Sequence, residues 1–232
     1  MSGALARYQE VCVGRRGLWA LLKYEFATTV ATPFPGAAGY LLRRFLYRRL
    51  MKRVGRGVAF GRNVILRHPH KMEIGEGSGF DDDCFLDARG AEEGGFRIGS
   101  NVIVARGVGL QVKKGFLELG DDCVIGYGAY LGSAGGIRCG KGVMISGMCY
   151  IGGGRYHTDN PDVPMRSQSS HSIGPVQIGD DCWIGAGARI LDGVTVGRGC
   201  VISAGMVVQQ DLPDDTIASP FSKVVQLPRR RP

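Results

Sequence analysis

The chain has 232 residues, enough for one domain with a sizeable appendage and a core of its own. Glycine, at 38 residues, runs at about twice its ordinary share while apolar residues make up 44%, which excludes both collagen and a disordered chain. The net charge of +8 is unevenly placed: residues 1–60 hold 11 Lys and Arg against Glu10 and Glu25, whereas residues 61–232 hold 18 basic and 19 acidic side chains. The basic character belongs to the first quarter of the chain and not to the molecule as a whole.

Within that quarter, residues 17–31 and 36–53 read as two helices about a TPFPG turn. In the second, Leu41, Leu42, Phe45, Leu46 and Leu50 recur at helical spacing among Arg43, Arg44, Arg48, Arg49, Lys52 and Arg53. Such a helix lies in the lipid headgroup layer, apolar face in the acyl chains and cations against anionic lipid. Residues 1–57 are therefore expected to form a basic amphipathic hairpin on an anionic membrane surface, peripheral on the cytoplasmic side; the alternative is a cap on the end of the next domain. The longest charge-free run, Phe26 to Leu42, is 17 residues and contains Pro33 and Pro35, short of the roughly 20 residues a spanning helix takes. The apolar stretch after Arg15 and Arg16 is broken by Lys23 and Glu25, so no cleavable signal is read. The cations flank an apolar stripe and no nucleic-acid module is recognisable, so no nucleic-acid partner is expected.

From residue 58 a period of six governs the chain. Ile178, Ile184, Ile190, Val196, Ile202 and Val208 stand in one register, and the same register holds upstream at Ile74, Phe80 and Leu86, then Ile98, Val104 and Leu110, then Leu119, Ile125 and Leu131, then Cys139, Ile145 and Ile151. Three hexads make a triangular coil with the aliphatic residue inward, and the glycine that usually follows it is expected to supply the backbone angles of the corners. Most coils carry short corner loops, but about 21 extra residues separate the coils at 139 and 178, so residues 152–175 are the segment in which to seek function. Cys84, Cys123, Cys149, Cys182 and Cys200 take the fifth, inward-facing place of a hexad. They read as buried structural thiols in a reducing compartment, and seven cysteines without CxxC spacing suggest neither a zinc site nor a disulfide framework. The expected organisation is a helical hairpin at 1–57, a repeat domain at 58–212 and an extension at 213–232.

Three stretches carry a family resemblance: GGGRYHTDNPDVPMRSQ from Gly152, IGDDCWIGAGARILDGVTVG from Ile178, and ISAGMVVQQDLPDDTIASPFSKVV from Ile202. The chain resembles the hexapeptide-repeat acyltransferases of the galactoside, maltose and xenobiotic acetyltransferase type and their relatives that acetylate surface polysaccharides. The resemblance implies an all-β fold, a left-handed parallel β-helix of about seven coils, assembled as a homotrimer with active sites between subunits. It implies an acyl-CoA, acetyl-CoA first, as co-substrate and no metal. His157 matches the catalytic histidine of that family, the general base that takes the proton of an acceptor hydroxyl. Asp159 and Asp162 are the nearby carboxylates that are candidates to orient it, and DNPDVP reads equally as a rigid turn. His171 is the second candidate histidine. Trp183, Gly185, Ala186 and Ala204 match the channel along which the CoA arm lies, and Lys223 matches a basic residue facing its phosphates. Gln209 and Gln210 depart from the threonine and lysine common there, and Arg229, Arg230 and Arg231 are the other cations near this end. The expected reaction is direct O-acylation of a sugar hydroxyl on a lipid-linked or surface glycan precursor. The competing readings are a lipid acyltransferase fed by acyl carrier protein and a non-catalytic membrane scaffold. A carbonic-anhydrase centre of three zinc-bound histidines does not fit the spacing of His157 and His171.

Overall fold

A hexad is four or so extended residues and a bend, so each makes one side of a triangle and three make a turn of a solenoid. The computed structural model describes residues 3–219 and the backbone of 227–228, and in it these sides stack into three sheets. The first face has seven strands, from Arg53–Val54 through Ile137–Cys139 and Val176–Ile178 to Thr195–Val196. The second has nine, from Ala59–Phe60 through Trp183–Ile184 to Thr216–Ala218 and, antiparallel to it, Leu227–Pro228. The third has seven, from Ile65–Arg67 through Tyr150–Gly153 to Val207–Val208. Pairing within the coils is parallel and in register, so Ile98, Leu119, Cys139, Ile178 and Val196 are neighbours on the first face. All five are buried in one continuous core, and each of the four aliphatic ones contributes about 1.5–3 kcal/mol by its burial. The all-β solenoid of about seven coils expected from the period is present, with a helical segment before it.

The six solenoid cysteines are buried and unpaired. Burial pushes their thiols up, Cys84 to about 11 and Cys182 to about 12, which keeps them protonated and inert. The glycines divide into two jobs that the sequence reading merged. The left-handed angle of the corner falls on the fourth place of the hexad, as at Asp181, Gly187 and Gly193, and not on the glycine after the aliphatic. That second-place glycine is needed for close approach: a Cβ on Gly185 would lie 2.5 Å from the Ala204 backbone nitrogen of the next coil.

Three helices precede the solenoid: α1 (Gly3–Tyr8), which runs into a π-helical turn at Gln9–Val13, α2 (Leu18–Ala31) and α3 (Gly36–Leu50). The first was not anticipated, because six residues hold too little periodicity to read. The third ends at Leu50 and not at 53, since Val54 pairs with Ile74 and opens the first coil before residue 58. The expected apolar face of α3 also splits. Leu42, Leu46 and Leu50 pack against the core with the buried Tyr47, while Leu41 and Phe45 are exposed. Arg43, counted among the outward cations, is buried. Its Nε donates to the Phe60 carbonyl at 2.8 Å and its Nη1 to the Phe34 and Ala31 carbonyls at 2.7 and 3.2 Å. It tethers the helical hairpin to the first coil, and burial, foremost among the causes, pulls its affinity for the proton down. The helices thus do cap the solenoid.

The N-terminal segment docks through His68, whose Nε2 lies 2.8 Å from the Glu10 carbonyl, and His70, whose ring stacks 5.7 Å from it. The Nδ1 atoms of both are buried without a partner. Burial, then the Arg15 charge, lowers the His70 pKa from 6.5 to about 4, and burial lowers that of His68. A depressed histidine pKa means that the unfolded ring takes its proton first as the pH falls, so docking is at full strength above about 6.5 and is lost on descending towards about 4. Hydrogen exchange should show residues 3–14 loosening through that window before the solenoid does. Replacing His70 by Phe should flatten the dependence.

Candidate active site

The long excursion leaves the third face after Tyr150–Gly153 and rejoins the first face at Val176–Ile178, so it stands at one corner of the triangle. Its root is a short antiparallel ladder in which Arg155 faces His171 and Tyr156 faces Ser170. A buried carboxylate fixes the return: Asp192 accepts from the Ile173 N–H at 2.7 Å and from the Ser172 hydroxyl at 2.9 Å. Nothing in the sequence singled out Asp192, which is one more hexad residue until the excursion is laid over it.

His157 follows the ladder, its N–H donating to the Ser169 carbonyl at 3.0 Å. Its imidazole is half exposed, and its Nδ1 stands 3.6 Å from Asp159 Oδ2, beyond a hydrogen bond but within reach of one small rotation. The His171 ring lies 4.4 Å from it, centre to centre, so the two candidate histidines form one pair. Asp162 is elsewhere in the turn: its N–H donates to Asn160 Oδ1 at 3.0 Å, and Gln168 Nε2 ties the loop by donating to the Asn160 and Val163 carbonyls. The DNPDVP stretch is therefore a built turn, and of the two carboxylates Asp159 is the one beside the base candidate. Such an arrangement can draw a proton from a hydroxyl and return it to a leaving group.

The residues matched to the donor channel are at another corner. Trp183 lies on the second face, half exposed, with Nε1 donating to Ser146 Oγ at 3.1 Å. Ala186 and Ala204 are exposed on successive coils beyond it, held together by the Gly205 N–H donating to the Ala186 carbonyl at 2.8 Å, and Gly185 is buried between coils. The strand Arg189–Leu191 separates that corner from the one bearing the excursion, three residues or about 10 Å of extended chain. Within one chain the two halves of the expected site are thus not brought together. The second face also carries a paired, exposed apolar ladder, Ile103, Val124, Met144 and Trp183. Lys223 and Arg229, Arg230 and Arg231 lie outside the described residues; Gln209 and Gln210 are exposed. Among the described residues no three metal-ligating side chains converge.

Residues 175–210 match the family model of the hexapeptide repeat of succinyl-transferase. The matched residues are the last regular coils of the solenoid. Over 109 residues it is 34% identical to a Mycobacterium tuberculosis protein named "Probable acetyltransferase", covering 47% of this chain and 36% of that one. A Saccharomyces cerevisiae protein, named with the same reservation an acetyltransferase, is 43% identical over 67 residues, 28% of this chain and 34% of its own length. The match thus spans about a third of the length of these relatives. Among solved structures, the N-acyltransferase AntD of Bacillus cereus, in complex with dTDP and 3-hydroxybutyryl-CoA, superposes with a TM-score of 0.57 at 18% identity over 82% of this chain and 88% of that one, a likeness of fold.

Substituting Asp192 by Ala leaves the Ile173 N–H without its acceptor, a loss of about 1–3 kcal/mol that falls on the excursion. Hydrogen exchange should rise across 155–173 while the thermal transition of the solenoid shifts by only a few degrees.

Proposed function

We propose that this protein is an acyl-CoA-dependent O-acyltransferase, with acetyl-CoA as donor and a sugar hydroxyl of a lipid-linked or surface glycan precursor as acceptor, working at the cytoplasmic face of a membrane. The observation that carries the reading is the half-exposed His157 with Asp159 and His171 on the one long excursion of a hexapeptide solenoid. The acetyltransferase names of the sequence relatives point the same way.

In this reading His157 takes the proton of the acceptor hydroxyl as its oxygen attacks the thioester carbonyl. The tetrahedral intermediate collapses to the ester, and the CoA thiolate leaves and recovers the proton from the imidazolium. Asp159 Oδ2, 3.6 Å from Nδ1 of that ring, is the group that would orient it. No covalent enzyme intermediate is formed. The donor lies along Trp183, Ala186 and Ala204, whose bare corner lets an extended chain approach the backbone. Those residues and His157 stand at different corners of one subunit, so the working site is shared between subunits of a homotrimer. The exposed ladder from Ile103 to Trp183 is an apolar face suited to that contact. His157→Ala should cut thiol release from acetyl-CoA by about 10²–10⁴-fold with the oligomer unchanged; full activity in the variant refutes the assignment.

The membrane reading rests on the outer side of the helical cap. Leu21, Tyr24, Ala27 and Ala31 of α2 face the protein, while Leu18, Trp19, Leu22 and Phe26 on the opposite side are exposed, as are Phe34, Leu41 and Phe45. An apolar face of that breadth on a helix already packed along its other side calls for a second apolar phase. Arg44, Arg48 and Arg49 are exposed along it, with the Arg49 guanidinium 3.4 Å from the centre of the Phe45 ring, and each cation near anionic lipid contributes about 1 kcal/mol. Among the described residues no helix is long and apolar enough to cross a membrane, so the contact proposed is peripheral. Sedimentation with phosphatidylserine vesicles should be strong, weak with phosphatidylcholine alone, and abolished by Phe26→Glu with Phe45→Glu.

A further inference from the structure

The corner that launches the excursion also carries a groove of about 760 Å³. Its floor is the bare backbone of earlier coils at Gly115 and Gly135, one wall is the return strand with His171, and its rim holds Lys113 and Lys114. Glu92 is the one carboxylate on the lining, and among the described residues neither lysine is ion-paired. Both lysines are exposed, and their backbone is fixed, the two N–H groups donating to the Ser133 carbonyl at 2.9 and 3.4 Å.

Their ammonium groups stand apart from the other cations of this stretch. From Lys52 to Lys141, every other basic side chain has a carboxylate partner, as in Arg97–Glu118, Arg106–Asp82 and Lys141–Asp122. The exception, Lys71, donates to two backbone carbonyls. Among the described residues Lys113 and Lys114 have neither. Two adjacent ammonium groups repel each other, and the fold that neutralises its cations coil by coil leaves this pair open at the mouth of a groove leading to His171 and, 4.4 Å beyond, His157.

We propose that this groove binds the acceptor through a phosphate or carboxylate group, which Lys113 and Lys114 receive, so that the substrate is an anionic glycan precursor. The identity of the attached group as the acceptor rests on the acyl-transfer reading; the binding of an anion does not. Lys113 and Lys114 sit two coils before Gly154, about 10 Å along the solenoid axis at the spacing of paired strands. Lysine stems and one sugar ring bridge that span, which sets a hydroxyl against the histidine pair while the anion rests on the lysines. CoA phosphates are the competing source. The extended arm between a thioester and the CoA diphosphate is longer than this distance, and the residues matched to the donor channel stand across the third face.

The test uses the full chain, with glucose 1-phosphate, methyl glucoside and CoA titrated by calorimetry into wild type and the Lys113→Ala/Lys114→Ala double variant. The wild type should bind glucose 1-phosphate in a salt-sensitive way and methyl glucoside at least tenfold more weakly. The double variant should lose at least tenfold for the sugar phosphate and bind CoA as before, with the KM for acetyl-CoA unmoved. Equal binding of the phosphate and neutral sugars by the wild type, or unchanged sugar-phosphate binding in the variant, overturns the proposal. Loss of CoA binding in its place assigns the lysines to the donor and overturns it as well. If lysine-dependent binding holds while no thiol is released with any acceptor, the acyl-transfer reading fails and the anion groove stands.

Discussion

Hydrogen bonding between successive coils brings their backbones to about 4.8 Å, and at many corners, where the chain bends across its neighbour, that distance leaves no room for a side chain. The glycine at the second place of the hexad answers this constraint, as the 2.5 Å that a Cβ on Gly185 would have to the Ala204 nitrogen makes plain. Once the corners can close, the aliphatic residue before each glycine is carried inward and stacks on its counterpart in the coils above and below. The bend itself falls on the fourth place, where aspartate, asparagine or glycine takes the left-handed angle, for example at Asn101, Asp122 and Gly142. The rest of the body is repetition of this unit.

A repeating body of this kind offers chemistry only where it is interrupted. The excursion after Gly153 is the interruption, and it is stapled at its return by Asp192 instead of being left to wander. His157, Asp159 and His171 are gathered on it, and the groove with Lys113 and Lys114 opens at its root. The straight coils next to it supply two other surfaces: an apolar ladder on the second face, and on the first face a row of alternating charges, Glu73, Arg97, Glu118 and Arg138, set side by side across the coils.

The helical cap solves the problem of the solenoid's first coil, whose edge would otherwise be bare. Arg43 and Tyr47 turn towards that coil, and Tyr47 meets Phe60 edge to ring at 5.5 Å, with Phe60 stacked on Phe80. Capping and the proposed membrane contact, set as alternatives when the helix is read alone, would use different sides of the same pair of helices. The cap uses only the inner side, so the exposed apolar side chains of the outer one are not accounted for by capping.

The sequence alone determined the architecture, because a period of six with an aliphatic followed by a small residue has one way to bury its side chains. It also located the excursion by its length and the thiols by their place in the hexad, and it singled out His157 as a candidate base. What only the tertiary structure decided were relations between residues distant in the chain. It set Asp159 and not Asp162 beside His157, joined His171 to that pair, and put Asp192 under the loop. It turned Arg43 inward and left Lys113 and Lys114 unpaired. It placed Trp183, Ala186 and Ala204 at one corner of the solenoid and His157 at another. The physical reason is that hexad periodicity fixes which side chains point inward, whereas a corner's partners depend on which coil lies above it and on how an irregular loop is folded back, and neither leaves a period to read.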